Sequence, residues 1–400
     1  MTERTRAAAL TAAYYAVIFA ALGAQLPYWP VWLEHWGLTT AEIGWYLGAA
    51  TVAREVGKTV IPALADHYAV RRWTIVVSAL ATALAHLAHL IAETPPELLA
   101  VTLIAAVVMA PSIPTGEALG LRAATRYGFA YAPVRAAGSV GFLIANISVG
   151  ALIGSMGPDL VLWIIVIGFT AVSVLGAVHP GGGAPPGAGS DRASPREALR
   201  VFLIPAIVVF ALATVFGQAS HIVYYVYSVL DWRGQGISDT VIGWLWATGV
   251  IAETVLMLGP GRRWVTRLGA PHALALGGLA GLVRWVALTA EPDLWLLWPL
   301  QVLHALSFGL AHLAAMAFLA SALPGRMIAS VQGVMTGVLG GGLSALVVVL
   351  AGDVVDGTAI APAYWIAAVA ALVSMVAGLA LKQIWGGGVL VADPPVAKSS

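Results

Sequence analysis

Apolar residues run along this chain in long stretches separated by short polar breaks. A helix needs about 20 apolar residues to cross a hydrocarbon core roughly 30 Å thick. Runs of that kind predict twelve spans, at 9–33, 41–65, 73–92, 98–121, 134–155, 159–179, 201–230, 239–259, 271–290, 294–320, 327–350 and 361–385. Between the sixth and seventh lies a segment from Pro180 to Pro195 rich in Gly, Pro and Ser, which reads as a flexible polar linker. It divides the chain into residues 1–179, a linker at 180–198, and residues 199–400. The pattern predicts an all-α membrane protein with twelve transmembrane helices in two six-helix bundles, related by a pseudo-twofold along the membrane normal around a central cavity.

Composition sharpens that picture. Hydrophobic residues make up 60% of the chain and charged ones 10%, with mean hydropathy +0.88. A soluble globule carries roughly 25% charged residues to face water, so most of this surface must face lipid. A net charge of +1 and the lack of a long basic block exclude nucleic acid as a partner. Cysteine is absent, which removes disulfides and thiolate metal sites. The first apolar run is about twice the length of a signal-peptide core, so it reads as a retained helix. Placing both termini on the cytoplasmic side puts sixteen of the twenty basic residues inside and Arg233 alone outside, the remaining three falling within spans. That asymmetry is the positive-inside signal, and it requires an even number of spans. Trp36, Trp45, Trp73, Trp232, Trp264 and Trp295 fall near span ends, where indole rings favour the interface.

Within the spans, Pro27 and Pro30 interrupt the first, Pro111 and Pro114 the fourth, and Gly337 with Gly340 to Gly342 crowd the eleventh. Such residues mark either a cavity lining or close packing of helices. Ionisable groups at membrane depth are costly and mark pathways, so each one counts. Arg54 lies about 20 Å along the second span at 1.5 Å per residue. It is either a cavity group or half of a structural pair with Glu55; Lys58 can snorkel to the headgroups. Glu117 and Arg135 sit at adjoining span ends and either meet across the helix pair or stand as separate interfacial charges. Glu253, Arg284, His304 and His312 lie deep in the second half, and Glu253 and Arg284 have no other obvious partners than each other. His86 and His89 read as hydrogen-bonded packing. His221, beside Gln218, Tyr224, Tyr225 and Tyr227, suits either a substrate cavity or an aromatic core. A carboxylate moved between an arginine partner and a dry environment can bind a proton on one side and release it on the other, and an arginine can clamp a substrate carboxylate through two parallel hydrogen bonds.

These residues resemble the major facilitator superfamily over essentially the whole chain. Ala65 to Arg72 is similar to that superfamily's loop motif, an acid followed by basic residues, with Pro62 and Ala69 where glycines are usual. Leu26 to Leu33, Val134 to Gly141 and Gln301 to His304 resemble the lactose permease group. Gly37-Leu-Thr, Gly48-Ala, Val52-Ala-Arg54, Ser220-His221 with Tyr224-Tyr225, Gly243 to Trp246, Ala252-Glu253, Val283 to Trp285 and His304 to Met316 resemble the phenylpropionic acid permease family. The resemblance implies that Glu117 and Arg135 match the acid and arginine that bind sugar in lactose permease, and that Arg284 and His304 match an arginine and a histidine of its coupling network. Phe142 replaces the stacking tryptophan, Ser307 replaces the proton-carrying acid, the acid of the eighth span is displaced about a turn to Glu253, and the charge pair between spans seven and eleven is missing. These departures tell against lactose and make Glu253 the proton carrier.

The expected function is therefore proton-coupled secondary transport of a small organic solute, an aromatic carboxylate, across the bacterial inner membrane by alternating access. The alternatives are a sugar or nucleoside symporter, or proton-driven efflux. The expected substrate site is Tyr28, Arg54, Glu117, Arg135, Phe142, His221 and Tyr224, with Glu253, Arg284 and His304 coupling the proton. The expected partners are the solute, protons and the lipid bilayer, with no cofactor or metal, for a monomer. No H-E-x-x-H, G-x-S-x-G or Walker-type loop occurs, which argues against a membrane enzyme or an ATP-driven pump.

Overall fold

The computed structural model describes residues 1–68, 70–182, 195–355 and 359–392, and no strand occurs among them. Linker residues 183–194, and the side chains of Asp66 and His67 in the loop motif, lie outside the described residues. Twelve long helices follow the twelve apolar runs: α1 Glu3–Trp36, α2 Thr40–His67, α3 Arg71–Ile91, α4 Pro95–Tyr127, α5 Tyr131–Met156, α6 Asp159–Ala177, α7 Pro205–Gly234, α8 Asp239–Leu258, α9 Ala270–Leu288, α10 Leu294–Ala322, α11 Gly325–Asp353 and α12 Ala361–Ile384. Among the described residues, eleven of these are long and apolar enough to cross a membrane. The other, α2, is 28 residues long but carries Glu42, Arg54, Glu55, Lys58 and Asp66.

Helix ends follow from local chemistry. Gly37 ends α1 at φ +115°, a left-handed conformation open to glycine, and its N–H donates to the Glu34 carbonyl. Two residues later Thr39 and Glu42 cap α2 reciprocally: Thr39 N–H donates to Glu42 Oε2 at 2.8 Å, and Glu42 N–H to Thr39 Oγ1 at 3.3 Å. Pro27 and Pro30 do not interrupt α1, contrary to expectation. The turns around them are held from outside. Tyr28 donates to the Asn146 carbonyl, and Trp29 stacks on Trp32 at 4.7 Å, with His86 and His89 edge-on to Trp29. His86 and His89 are packing groups, each bonded through Nδ1 to the carbonyl four residues back. Pro111 does break α4, at a turn over Ala110–Pro111. The glycines of α11 are not simply packing residues, since Gly337 lies in a π turn, Val334–Leu339, and a Cβ on Gly342 would meet open space.

The chain forms two compact units, Met1–Ala188 with Val223–Ala247 and Val348–Ala363, and Gly189–Ile222 with Thr248–Val347 and Tyr364–Ser400. In the first, α1 lies against α5 so closely that a Cβ on Gly141 would collide with the Ala16 carbonyl. Small residues let backbones approach where lipid offers no competing hydrophobic force. The same unit takes up the ends of α7 and α11 and the start of α8. Gly44 leaves room for the Tyr227 hydroxyl, which donates to the Val348 carbonyl at 3.1 Å, while Trp45 Nε1 donates to Asp353. In the second unit, α9 and α12 pack through Gly278 and Gly378. Its apolar core includes Phe210, Phe318, Leu274 and Leu381.

Just past α6 the chain turns back into the first unit. His179 is wholly buried, its carbonyl accepts from Arg72 Nη2 at 2.7 Å, its Nδ1 accepts from Gly181 N–H, and Arg122 reaches the Gly181 carbonyl at 3.4 Å. Burial, and then the neighbouring Arg72 charge, hold the imidazole down at about 4. The folded pKa lies below the unfolded value, about 6.5, so the unfolded segment binds the proton more readily. The docking contributes fully above about pH 6.5 and is lost as pH falls toward 4. Hydrogen exchange across residues 178–182 should accelerate over that window, and a His179→Gln variant should show no such pH step.

Candidate functional site

In the second unit a set of polar side chains meets in the apolar interior. Arg284 of α9 is wholly buried. Its Nη1 donates to His304 Nδ1 at 3.2 Å and Ser307 Oγ at 3.0 Å, its Nη2 to Gln301 Oε1 at 3.3 Å, and its guanidinium lies 4.5 Å from the Trp285 ring centroid. Residues 301, 304 and 307 all come from α10, spaced by three, so one helix face presents all of them. A π turn, Ala305–Leu310, follows His304 and widens the helix where the His304 ring stacks on Phe308. Gly309 lets α8 approach: a Cβ there would come within 3.1 Å of Glu253 Cγ.

Arginine only donates, and that fixes the protons around it. His304 Nδ1 accepts from Arg284, so a neutral ring carries its proton on Nε2, which stands 3.4 Å from Glu253 Oε2. Ser307 Oγ accepts from Arg284 and so turns its own proton to His221 Nε2, 3.1 Å away. His221 Nδ1 then donates to the Gly217 carbonyl at 2.9 Å. Trp285 Nε1 donates to Ser220 at 3.1 Å, tying α9 to α7 beside the network. The carboxylate and cation expected to pair at Glu253 and Arg284 are instead separated by an imidazole: His304 faces Arg284 with Nδ1 and Glu253 with Nε2. A cavity of about 30 Å³ adjoins the network, lined by His221, Gln218, Ser307, Phe308, His312 and Ser374 among others. That is room for about two waters.

The other expected site residues lie in the first unit. Glu117 and Arg135 do meet, Oε1 to Nε at 3.3 Å, with Arg135 over the rings of Phe19 at 4.2 Å and Tyr15 at 5.2 Å. Tyr15 donates to the Gly116 carbonyl and lies 2.9 Å from the Tyr131 hydroxyl. Arg54 is half-buried and, among the described residues, forms no hydrogen bond or ion pair; Glu55 pairs with Lys58 at 3.3 Å instead. The exposed stripe of α2 is Val52, Val56, Val60 and Leu64, and at 100° per residue Arg54 lies about 140° from its centre. Arg54 therefore sits on the side of α2 away from that apolar stripe. Tyr28 is wholly buried, Tyr224 is buried and stacked 4.7 Å from Trp246, and Phe142 is half-buried. Sequence reasoning did not assign roles to Gln301, Ser307, Ser220 and Trp285. The spacing of three at 301, 304 and 307 was the available signal for two of them; Ser220 and Trp285 are marked by standing next to His221 and Arg284 in stretches that resemble the phenylpropionic acid permease family.

The MFS_1 like family matches residues 9–367. The chain belongs to that family. It is accordingly a multi-pass membrane transporter of the major facilitator superfamily, not an enzyme. Among curated relatives, the probable 3-phenylpropionic acid transporter of Escherichia coli strain K12 is 30% identical over 339 residues, 84% of this chain and 88% of the relative. The maltose permease of Geobacillus stearothermophilus is 24% identical, covering 85% of each chain. Among solved structures, the nucleoside transporter NupG superposes with a TM-score of 0.78 at 16% identity, over 94% of this chain and 98% of that one. A bacterial homologue of the human lysosomal transporter Spinster gives 0.72 at 13% identity, over 96% and 100%. At such identities these two show the major facilitator fold alone.

Removing the Ser307 hydroxyl takes one hydrogen bond from His221 Nε2 and one from Arg284 Nη1 while sparing His304 and Glu253. Ser307→Ala should therefore cost roughly 1–3 kcal/mol of stability. Thermal unfolding in detergent checks this, and an unchanged midpoint would place water in the hydroxyl's role.

Proposed function

We propose that this transporter couples the movement of a small aromatic carboxylate to protons across the bacterial inner membrane, with both termini cytoplasmic and the two six-helix halves, 1–179 and 199–400, alternating about the linker at 180–198. The buried chain from Arg284 through His304 to Glu253 carries this reading. An ionised Glu253 faces the Nε2–H of His304 and completes a charge-compensated line. A protonated Glu253 is neutral, gives His304 no anion to face, and tolerates dry surroundings. Glu253 thus has two states of different charge and different partner needs, which is what a proton carrier requires.

The substrate class rests on Arg54 and on the 30% identical relative described as a probable 3-phenylpropionic acid transporter. Arg54 offers a guanidinium on the non-lipid face of α2, with no ion-pair partner among the described residues. It is the natural clamp for a carboxylate, with Tyr28, Phe142 and Tyr224 of the same unit as its aromatic company and Arg135 as a second cation. The Glu117–Arg135 pair supports a second reading, a sugar or nucleoside symporter, because a carboxylate and a guanidinium side by side can share a ring of hydroxyls. Direction of transport, import or efflux, is set by the gradients applied.

Two measurements in proteoliposomes test the proposal. Glu253→Gln should abolish uphill accumulation driven by a pH gradient yet preserve substrate exchange without one; if Glu117→Gln does this and Glu253→Gln does not, the carrier is Glu117. Counterflow with aryl carboxylates, sugars and nucleosides identifies the substrate class. For an aryl carboxylate, Arg54→Gln should raise KM about tenfold to a hundredfold, the value of a charged hydrogen-bonded pair. Counterflow by sugars alone would discard the carboxylate reading.

A further inference from the structure

The segment between α8 and α9 contains a short amphipathic helix, Gly261–Leu268. Because it joins two spans, it lies at a membrane face. Gly261 and Val265 are its buried positions; a Cβ on Gly261 would meet Leu313 Cδ1 at 2.6 Å and the Leu256 carbonyl at 2.7 Å, so the backbone itself rests on α8 and α10. Every other residue of the helix is exposed.

Those exposed residues are sorted by side. Taking 100° per residue from Arg262, the arginines Arg262, Arg263 and Arg267 with Thr266 span an arc of about 140°. Trp264 and Leu268 follow at about 200° and 240°, and the buried pair lies beyond them. The helix therefore shows one basic side, one apolar side and one side spent on the protein. None of the three guanidinium groups forms a hydrogen bond or ion pair among the described residues, and no acidic residue occurs between Glu253 and Glu291. The corresponding basic cluster of the first half, between α2 and α3, is used differently, since Arg72 donates to the His179 carbonyl.

We infer that this helix is a binding site for an anionic phospholipid, its phosphate held by Arg262, Arg263 and Arg267 and its acyl chains lying along Trp264 and Leu268. Three guanidinium groups without protein partners match a phosphate in charge and in hydrogen-bond geometry. An exposed indole and leucine beside them match the depth at which a headgroup gives way to hydrocarbon. A soluble anion would use the basic side alone and leave the apolar side without purpose. Neutral lipid would use the apolar side alone.

The test uses the purified full chain, delipidated in neutral detergent. Phosphatidylglycerol and phosphatidylcholine are titrated in turn, with retained lipid counted by native mass spectrometry and thermal unfolding followed in parallel. Phosphatidylglycerol should bind more tightly, and its advantage should shrink with added salt. The triple substitution Arg262→Gln, Arg263→Gln, Arg267→Gln should weaken phosphatidylglycerol about tenfold or more, as three basic groups at the headgroup level imply, and leave phosphatidylcholine unchanged. Its thermal midpoint in lipid-free detergent should equal that of the parent, because these side chains hold nothing in the protein. The triple lysine variant should keep most of the preference, and Trp264→Ala should weaken phosphatidylglycerol alone. The proposal is overturned if the glutamine variant retains the preference. It is equally overturned if glycerol phosphate or inorganic phosphate stabilises the parent as well as the lipid does, or if both lipids weaken together.

Discussion

A guanidinium sealed in an apolar interior keeps its proton and cannot become an acceptor, so everything near it must arrange itself as acceptor. Arg284 imposes that condition on the second unit. Three of its neighbours, Gln301, His304 and Ser307, are neutral polar groups from a single helix, and each is oriented by what arginine can only give. The acid stands one residue further off. A direct Arg–Glu contact in such surroundings would be a tight pair, expensive to part. An interposed imidazole weakens the attraction by distance while keeping a hydrogen-bonded path, and imidazole is the side chain whose own proton is most readily moved near neutrality.

The first unit holds its arginines on other terms. Arg135 remains partly exposed, pairs with one oxygen of Glu117, and rests on two aromatic faces. Rings attract a cation without fixing the direction of its N–H groups, which leaves the guanidinium able to turn toward a newcomer. Arg54 is freer still. The contrast separates a cation that organises its surroundings from cations held on looser terms.

The fold was legible because the bilayer leaves few choices: each span must satisfy its own backbone, so length and polarity of the runs nearly dictate the helices. Glu117 and Arg135 were legible for a local reason, since a short loop after Gly128 brings their helix ends together. What escaped the sequence was set by tertiary neighbours. The continuity of α1 through Pro27 and Pro30 depends on rings from α3 and a carbonyl from α5. The partnership of Arg284 with neutral groups could not be read from charge, because a serine or glutamine in an apolar run carries no periodic mark of its own. The placement of His304 between acid and base needed the depth of α8 against α10, which Gly309 sets by lacking a side chain.

The π turn at Ala305–Leu310 has a further consequence for how this helix can vary over evolutionary time. A π turn is an α-helix with one residue too many, so losing a single residue there would restore an unbroken ladder and leave both flanking stretches helical. The loss would leave everything beyond the turn facing as it did, because the wider turn takes up the extra residue; in an unbroken α-helix the same deletion would rotate the far half by about 100°. Gln301 and His304 before the turn and His312 beyond it would keep their aspects, and only the residues within Ala305–Leu310, Ser307 and Phe308 among them, would shift. One codon thus stands between two local wirings of the same helix, a step confined to the widened turn that no series of point substitutions could imitate.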